Sequence, residues 1–123
     1  MSTFVLVHGA YHGAWCYAKV TPLLEAAGHT VVAVDLPGHG NNPVLREEIT
    51  LASYVDHVCS VIDTQSEPVI LVGHSLGGMT ISQAAEDRAD KIKSLVFLAA
   101  MLPRDGESRA DVSARVDDNP AVM

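Results

Sequence analysis

The chain has 123 residues, 48% of them hydrophobic, and a formal net charge of −7. That length and apolar content suit one compact domain with a real core, not a disordered chain. The acidic balance repels phosphate backbones and anionic lipid, so neither nucleic acid nor a membrane surface is an expected partner.

The six histidines are scattered without paired metal-ligand spacing. No metal and no cofactor are therefore expected. Cys16 and Cys59 form no CxxC pair, and no secretory apolar segment precedes the first strand. Two reduced thiols in a cytoplasmic protein are the expectation. No apolar run approaches the ~20 residues of a membrane span.

In chain order, Thr3-Phe4-Val5-Leu6-Val7 is a continuous apolar run that predicts a strand buried on both faces. A glycine turn, His8-Gly9-Ala10, ends it. Val20, Leu23, Leu24 and Ala27 repeat at helical spacing, with Pro22 near the helix start and Gly28 as its C-terminal cap. Thr30 to Val34 predicts the second strand, followed by a turn-rich loop over 35–43. Leu51, Tyr54, Val55, Val58 and Ile62 mark a helix from about Leu51 to Asp63. Pro68 to Val72 reads as the third strand, Leu76 to Asp87 as the third helix and Leu95 to Ala100 as the fourth strand.

The order β-α-β-α-β-α-β predicts an α/β fold: four parallel strands joined by right-handed crossover helices. The expected core is 1–102. The polar tail, 103–123, is rich in Arg, Asp and Ser and reads as loop or marginal helix.

Gly73-His74-Ser75-Leu76-Gly77 lies between the third strand and the third helix. A GxSxG pattern alone is weak, because its residues are common. Here an apolar strand precedes it and a helical pattern follows, as a nucleophile elbow requires. A sharp turn lifts the Ser75 hydroxyl above the sheet edge. The following helix aims free N–H groups and its positive dipole end at the same place. With the first and third strands adjacent, the Gly9 turn opens beside Ser75. The N–H groups of Leu76 and Ala10 are then the expected oxyanion donors. Gly9, Tyr11 and His74 are expected to line the substrate pocket, and His8 and His12 to lie near the same sheet edge.

Phe4–Trp15 (FVLVHGAYHGAW), Pro22–His29 (PLLEAAGH), Val69–Gly78 (VILVGHSLGG) and Leu95–Pro103 (LVFLAAMLP) carry a family resemblance. The chain resembles the plant methylesterase, salicylate-binding protein and hydroxynitrile lyase branch of the α/β-hydrolases, with bacterial esterase-like relatives. The resemblance covers about the first 105 residues. It implies the N-terminal half of an α/β-hydrolase fold, with Ser75 as nucleophile and Ala10 and Leu76 at the oxyanion hole. It also implies a small ester as substrate. Lyases of this branch tend to carry Thr after the first-strand His and Glu before the Ser; this chain has Gly9 and His74, as on the esterase side.

Triad chemistry needs a base and an orienting acid, in the order Ser, acid, His in this fold. No histidine follows Ser75. His74 is adjacent to it and diverges from it on a tight turn. His29, His39 and His57 read as loop and helix-surface residues, and Asp105 is the only acid considered for the triad. The chain is about half the length of the proteins it resembles, so the lid and the acid and histidine loops are expected to lie outside it. The fourth strand would then be an unpaired edge open to self-association. A small-acid binding module, a half-domain completed by another chain and a lyase of the same branch are the alternative readings.

Overall fold

The computed structural model describes residues 2–10, 12–40, 42, 49–104, 106–108, 110–112 and 114. Strands β1 (Thr3–Val7), β2 (Thr30–Val34), β3 (Val69–His74) and β4 (Ile92–Leu98) alternate with helices α1 (Thr21–Ala26), α2 (Leu51–Asp63) and α3 (Gly77–Asp87). All four strands are parallel, in the order β2-β1-β3-β4. The α/β architecture expected from the sequence is the one observed.

β1 and β3 are central, and their side chains are buried on both faces. On one face Val5, Val7, Val69 and Leu71 pack with Val55, Val58 and Ile62 of α2 and Ile81 and Ala84 of α3. On the other, Leu6 and Val72 meet Tyr17. That residue comes from a short 3-10 turn, Ala14–Tyr17, whose Tyr17 hydroxyl donates to the Val7 carbonyl at 2.8 Å. A continuous apolar run suits such two-sided burial, because alternate side chains of a strand face opposite ways.

α2 starts at a capping box. The Thr50 hydroxyl accepts the Ser53 N–H, and the Ser53 hydroxyl accepts the Thr50 N–H. Such a cap stabilises a helix by about 1 kcal/mol. α1 has Pro22 in its first turn, and Gly28, at φ 92°, follows its end.

β3 runs two residues past its expected end, to His74, and two further features depart from the sequence pattern. No residue of α1 is buried, and Leu23 is 71% exposed. Tyr17 and Cys16, just before the helix, fill that sheet face instead. β4 begins at Ile92, three residues earlier than its apolar run predicts, and ends at Leu98. A register shift opposite Val69 and Ile70 passes over Lys93, so the polar pair Lys93 and Ser94 separates Ile92 from the apolar run. Ala99, at φ 45°, turns the chain out of it.

In the tail, residues 110–112 are helical and Val112 is buried. Cys16 and Cys59 are free thiols. Among the described residues no helix is long and apolar enough to cross a membrane. No group of three or more His, Cys, Asp or Glu side chains among them is arranged to hold a metal ion.

Candidate functional site

The sheet order sets β1 beside β3, so the turn after β1 and the turn after β3 open at one carboxyl edge. Ligands of open α/β sheets bind at that edge. Ser75 sits in the β3–α3 turn with φ 55°. A non-glycine residue in this left-handed region is strained by roughly 1–2 kcal/mol. Its carbonyl accepts the N–H of Gly78 at 3.1 Å and of Met101 at 2.9 Å, which over-determine the turn. Ser75 is half-buried and leaves part of its surface to solvent.

The glycines around it are required by close approaches. A Cβ on Gly73 would lie 2.8 Å from the Gly77 carbonyl, and one on Gly77 2.8 Å from the Val7 carbonyl. A Cβ on Gly9 would lie 2.9 Å from both the His74 carbonyl and the Ser75 Cβ, and 3.3 Å from the Leu76 nitrogen. The β1 turn is therefore pressed directly against the elbow. A small crevice of about 10 Å³ remains there, lined by Gly9, Ala10, Leu76, Gly77 and Thr80 among others. Leu76 precedes the first turn of α3, whose free N–H groups face this end.

Four histidines gather near the edge. His8 is fully buried, with Nδ1 2.8 Å from the Gly9 carbonyl. Its Nε2 accepts the Leu36 N–H at 3.1 Å. Burial pushes its pKa down, opposed chiefly by the Gly9 hydrogen bond. The His12 Nδ1 lies 2.7 Å from the Ala10 carbonyl. The His12 ring stacks on Trp15 and meets His74 edge-on at 5.9 Å. His39 lies 5.0 Å from His8 and packs edge-on to Tyr54.

The structure thus brings Gly9, Ala10, His74, Ser75 and Leu76 together, along with His8 and His12. Tyr11 and Asp105 lie outside the described residues. His29 is remote from the edge, with its ring against Phe4. His39 is on a loop, as its sequence context implies, but it lies beside His8 and is not a plain surface residue. Met101 gave no sequence signal of its own. The doubled glycine, Gly77-Gly78, was the available hint, because a Cβ on Gly78 would overlap the Met101 carbonyl.

Residues 4–122 match the family model described as the alpha/beta hydrolase family. The carbendazim hydrolyzing esterase of Nocardioides sp. (strain SG-4G) is 44% identical over 110 residues, covering 88% of this chain and 46% of that protein. The salicylic acid-binding protein 2 of Nicotiana tabacum is 50% identical over 103 residues, covering 81% of this chain and 40% of that protein. A crystal structure of polyneuridine aldehyde esterase, an enzyme named from Rauvolfia serpentina, superposes with a TM-score of 0.87 at 41% identity. It covers 98% of this chain and 49% of that one. The chain spans less than half the length of these relatives. With the family model matched over nearly its whole length, the chain belongs to the alpha/beta hydrolase family.

Proposed function

We propose that this chain carries the nucleophile half of a carboxylic-ester hydrolase acting on small esters. Ser75 is the nucleophile, and the N–H groups of Ala10 and Leu76 hold the oxyanion. The observation that carries this reading is the Ser75 backbone, at φ 55° between β3 and α3 with the Gly9 turn packed against it. Strain of this kind persists where the surroundings enforce it, and it exposes the hydroxyl at the sheet edge. Two of the similar proteins are esterases by name, which supports an ester as substrate class.

In this mechanism the Ser75 oxygen attacks the ester carbonyl carbon as its proton passes to a base. The carbonyl π pair moves onto oxygen, and the two N–H groups stabilise that charge. Each such donor contributes about 3 kcal/mol to the transition state in a well-studied hydrolase. The tetrahedral intermediate expels the alcohol, which takes the proton back from the base, and water then releases the acid from Ser75 by the same steps. No histidine follows Ser75 in these 123 residues. Losing that base costs on the order of 10⁶ in turnover in a serine protease. The chain by itself is therefore expected to hydrolyse p-nitrophenyl acetate hardly faster than buffer.

The test is a chimera in which residues 1–102 replace the matching segment of the tobacco salicylic acid-binding protein 2. Ester hydrolysis that disappears in Ser75→Ala is expected. A folded chimera whose hydrolysis survives that substitution would remove Ser75 from the chemistry.

A further inference from the structure

We infer that His8 is a positioning residue for the oxyanion site: its ring holds the Gly9–Ala10 peptide so that the Ala10 N–H keeps one direction. The inference rests on the proposed role of that N–H and adds the group that aims it.

The two hydrogen bonds of His8 fix its chemical form. A carbonyl can only accept, so the nitrogen 2.8 Å from the Gly9 oxygen, Nδ1, carries the hydrogen. A backbone N–H can only donate, so Nε2, 3.1 Å from the Leu36 nitrogen, presents its lone pair. Only the neutral ring with its hydrogen on Nδ1 satisfies both. A charged ring would set N–H against N–H in a fully buried position.

The Gly9 carbonyl and the Ala10 N–H are opposite ends of one planar peptide unit. No cis peptide occurs among the described residues, so this unit is trans and its N–H points away from the carbonyl it is joined to. Holding the Gly9 oxygen on His8 therefore fixes the Ala10 N–H in the opposite sense, away from the ring. The next peptide is held in the same way, because the His12 Nδ1–H donates to the Ala10 carbonyl at 2.7 Å. Both peptides that flank the Ala10 Cα are thus fixed by imidazoles. A donor that must meet developing charge without reorganising benefits from this rigidity.

The tether has a structural source. β1 lies between β2 and β3. His8, one residue beyond β1, can reach Leu36 after β2 while its own turn presses on the elbow after β3. Leu36 is itself buried, so the anchor is firm.

The experiment is NMR on the chain, with benzoate as probe anion. In the native chain the His8 nitrogens should report a neutral ring protonated at Nδ1; a hydrogen on Nε2, or a charged ring at neutral pH, overturns the inference without any variant. On benzoate titration the Ala10 and Leu76 amide protons should both move downfield. In His8→Phe, the Leu76 response should persist while the Ala10 response is lost, with ~10-fold weaker binding for one lost charge-assisted bond. His8→Asn keeps a donor near the Nδ1 position and should keep the Ala10 response. A folded His8→Phe chain with native Ala10 shifts and affinity overturns the inference, as does loss of that response in folded His8→Asn. If neither amide responds in the native chain, the oxyanion assignment itself fails and the inference falls with it.

Discussion

The backbone N–H of Met101 donates to the carbonyl of Ser75 at 2.9 Å, tying the elbow to the segment that follows β4. The contact is possible because Gly78, the second residue of α3, lets that segment pass over it. A Cβ on Gly78 would overlap the Met101 carbonyl and lie 3.0 Å from its nitrogen.

Gly78→Ala is therefore expected to destabilise the chain by about 1–3 kcal/mol, because main chain must shift to admit the methyl. Urea unfolding measures it. In an open stretch of helix the same change stabilises by up to about 1 kcal/mol, so the sign alone is informative. A stabilised Gly78→Ala chain would mean that the segment after β4 does not cross α3 at this point.

Ser75 offers a second test of strain. Glycine adopts φ 55° freely, whereas serine and alanine do not. Ser75→Gly should therefore be more stable than Ser75→Ala by about 0.5–1 kcal/mol, after allowing for glycine's greater freedom when unfolded. Comparing these two variants cancels the loss of the hydroxyl. A less stable glycine variant would mean that the elbow stores no strain.

The sheet was legible in the sequence because its central strands are continuous apolar runs ended by glycine turns. β1, β2 and α2 have the bounds their patterns predict. The elbow was legible for the same reason, since Gly73, Ser75 and Gly77 fall where a strand pattern gives way to a helical one. β4 was less so: Lys93 and Ser94 separate Ile92 from its apolar run, and a register shift there breaks the alternation that would reveal the early pairing. The α1 stripe misled because helical spacing says which side chains share a face, not whether anything covers it. The bonds that fix the site, His8 to Leu36 and Met101 to Ser75, join residues 28 and 26 positions apart. No local pattern encodes such pairs.

The buried His8 ring also makes stability depend on pH. Burial lowers its pKa from the ordinary 6.5, and the Gly9 hydrogen bond opposes this. Nearby His39 and His12 lower it further, and Asp35 raises it. In the unfolded chain the ring takes up a proton below 6.5, while in the fold it resists, so the unfolded state binds more protons. The contribution is complete above 6.5 and is lost as the pH falls below it. Between pH ~7.5 and ~5 the urea midpoint of the native chain should fall more than that of His8→Asn, which cannot titrate there. Asp63 does not confuse the window. The hydrogen bonds from Arg88 and Lys91 hold its carboxyl well below the usual range, so its share is lost only at lower pH. Equal slopes in the two chains would mean that His8 is not held neutral.

β4 combines a core-like sequence with an edge position. Leu95 and Phe97 point to one face of the sheet and Val96 and Leu98 to the other, the pattern of a strand meant to be covered on both sides. Yet Leu95, Val96 and Leu98 are 37%, 41% and 50% exposed, and β3 is the strand's one neighbour in the described sheet. A parallel edge with apolar side chains on both faces is a template for pairing. The chain is therefore expected to self-associate with rising concentration, as sedimentation velocity would register. Val96→Lys, which places a charge on that edge, should shift the distribution toward monomer without lowering the melting temperature of the monomer. A native chain that sediments as a stable monomer throughout would show that the edge is protected by other means.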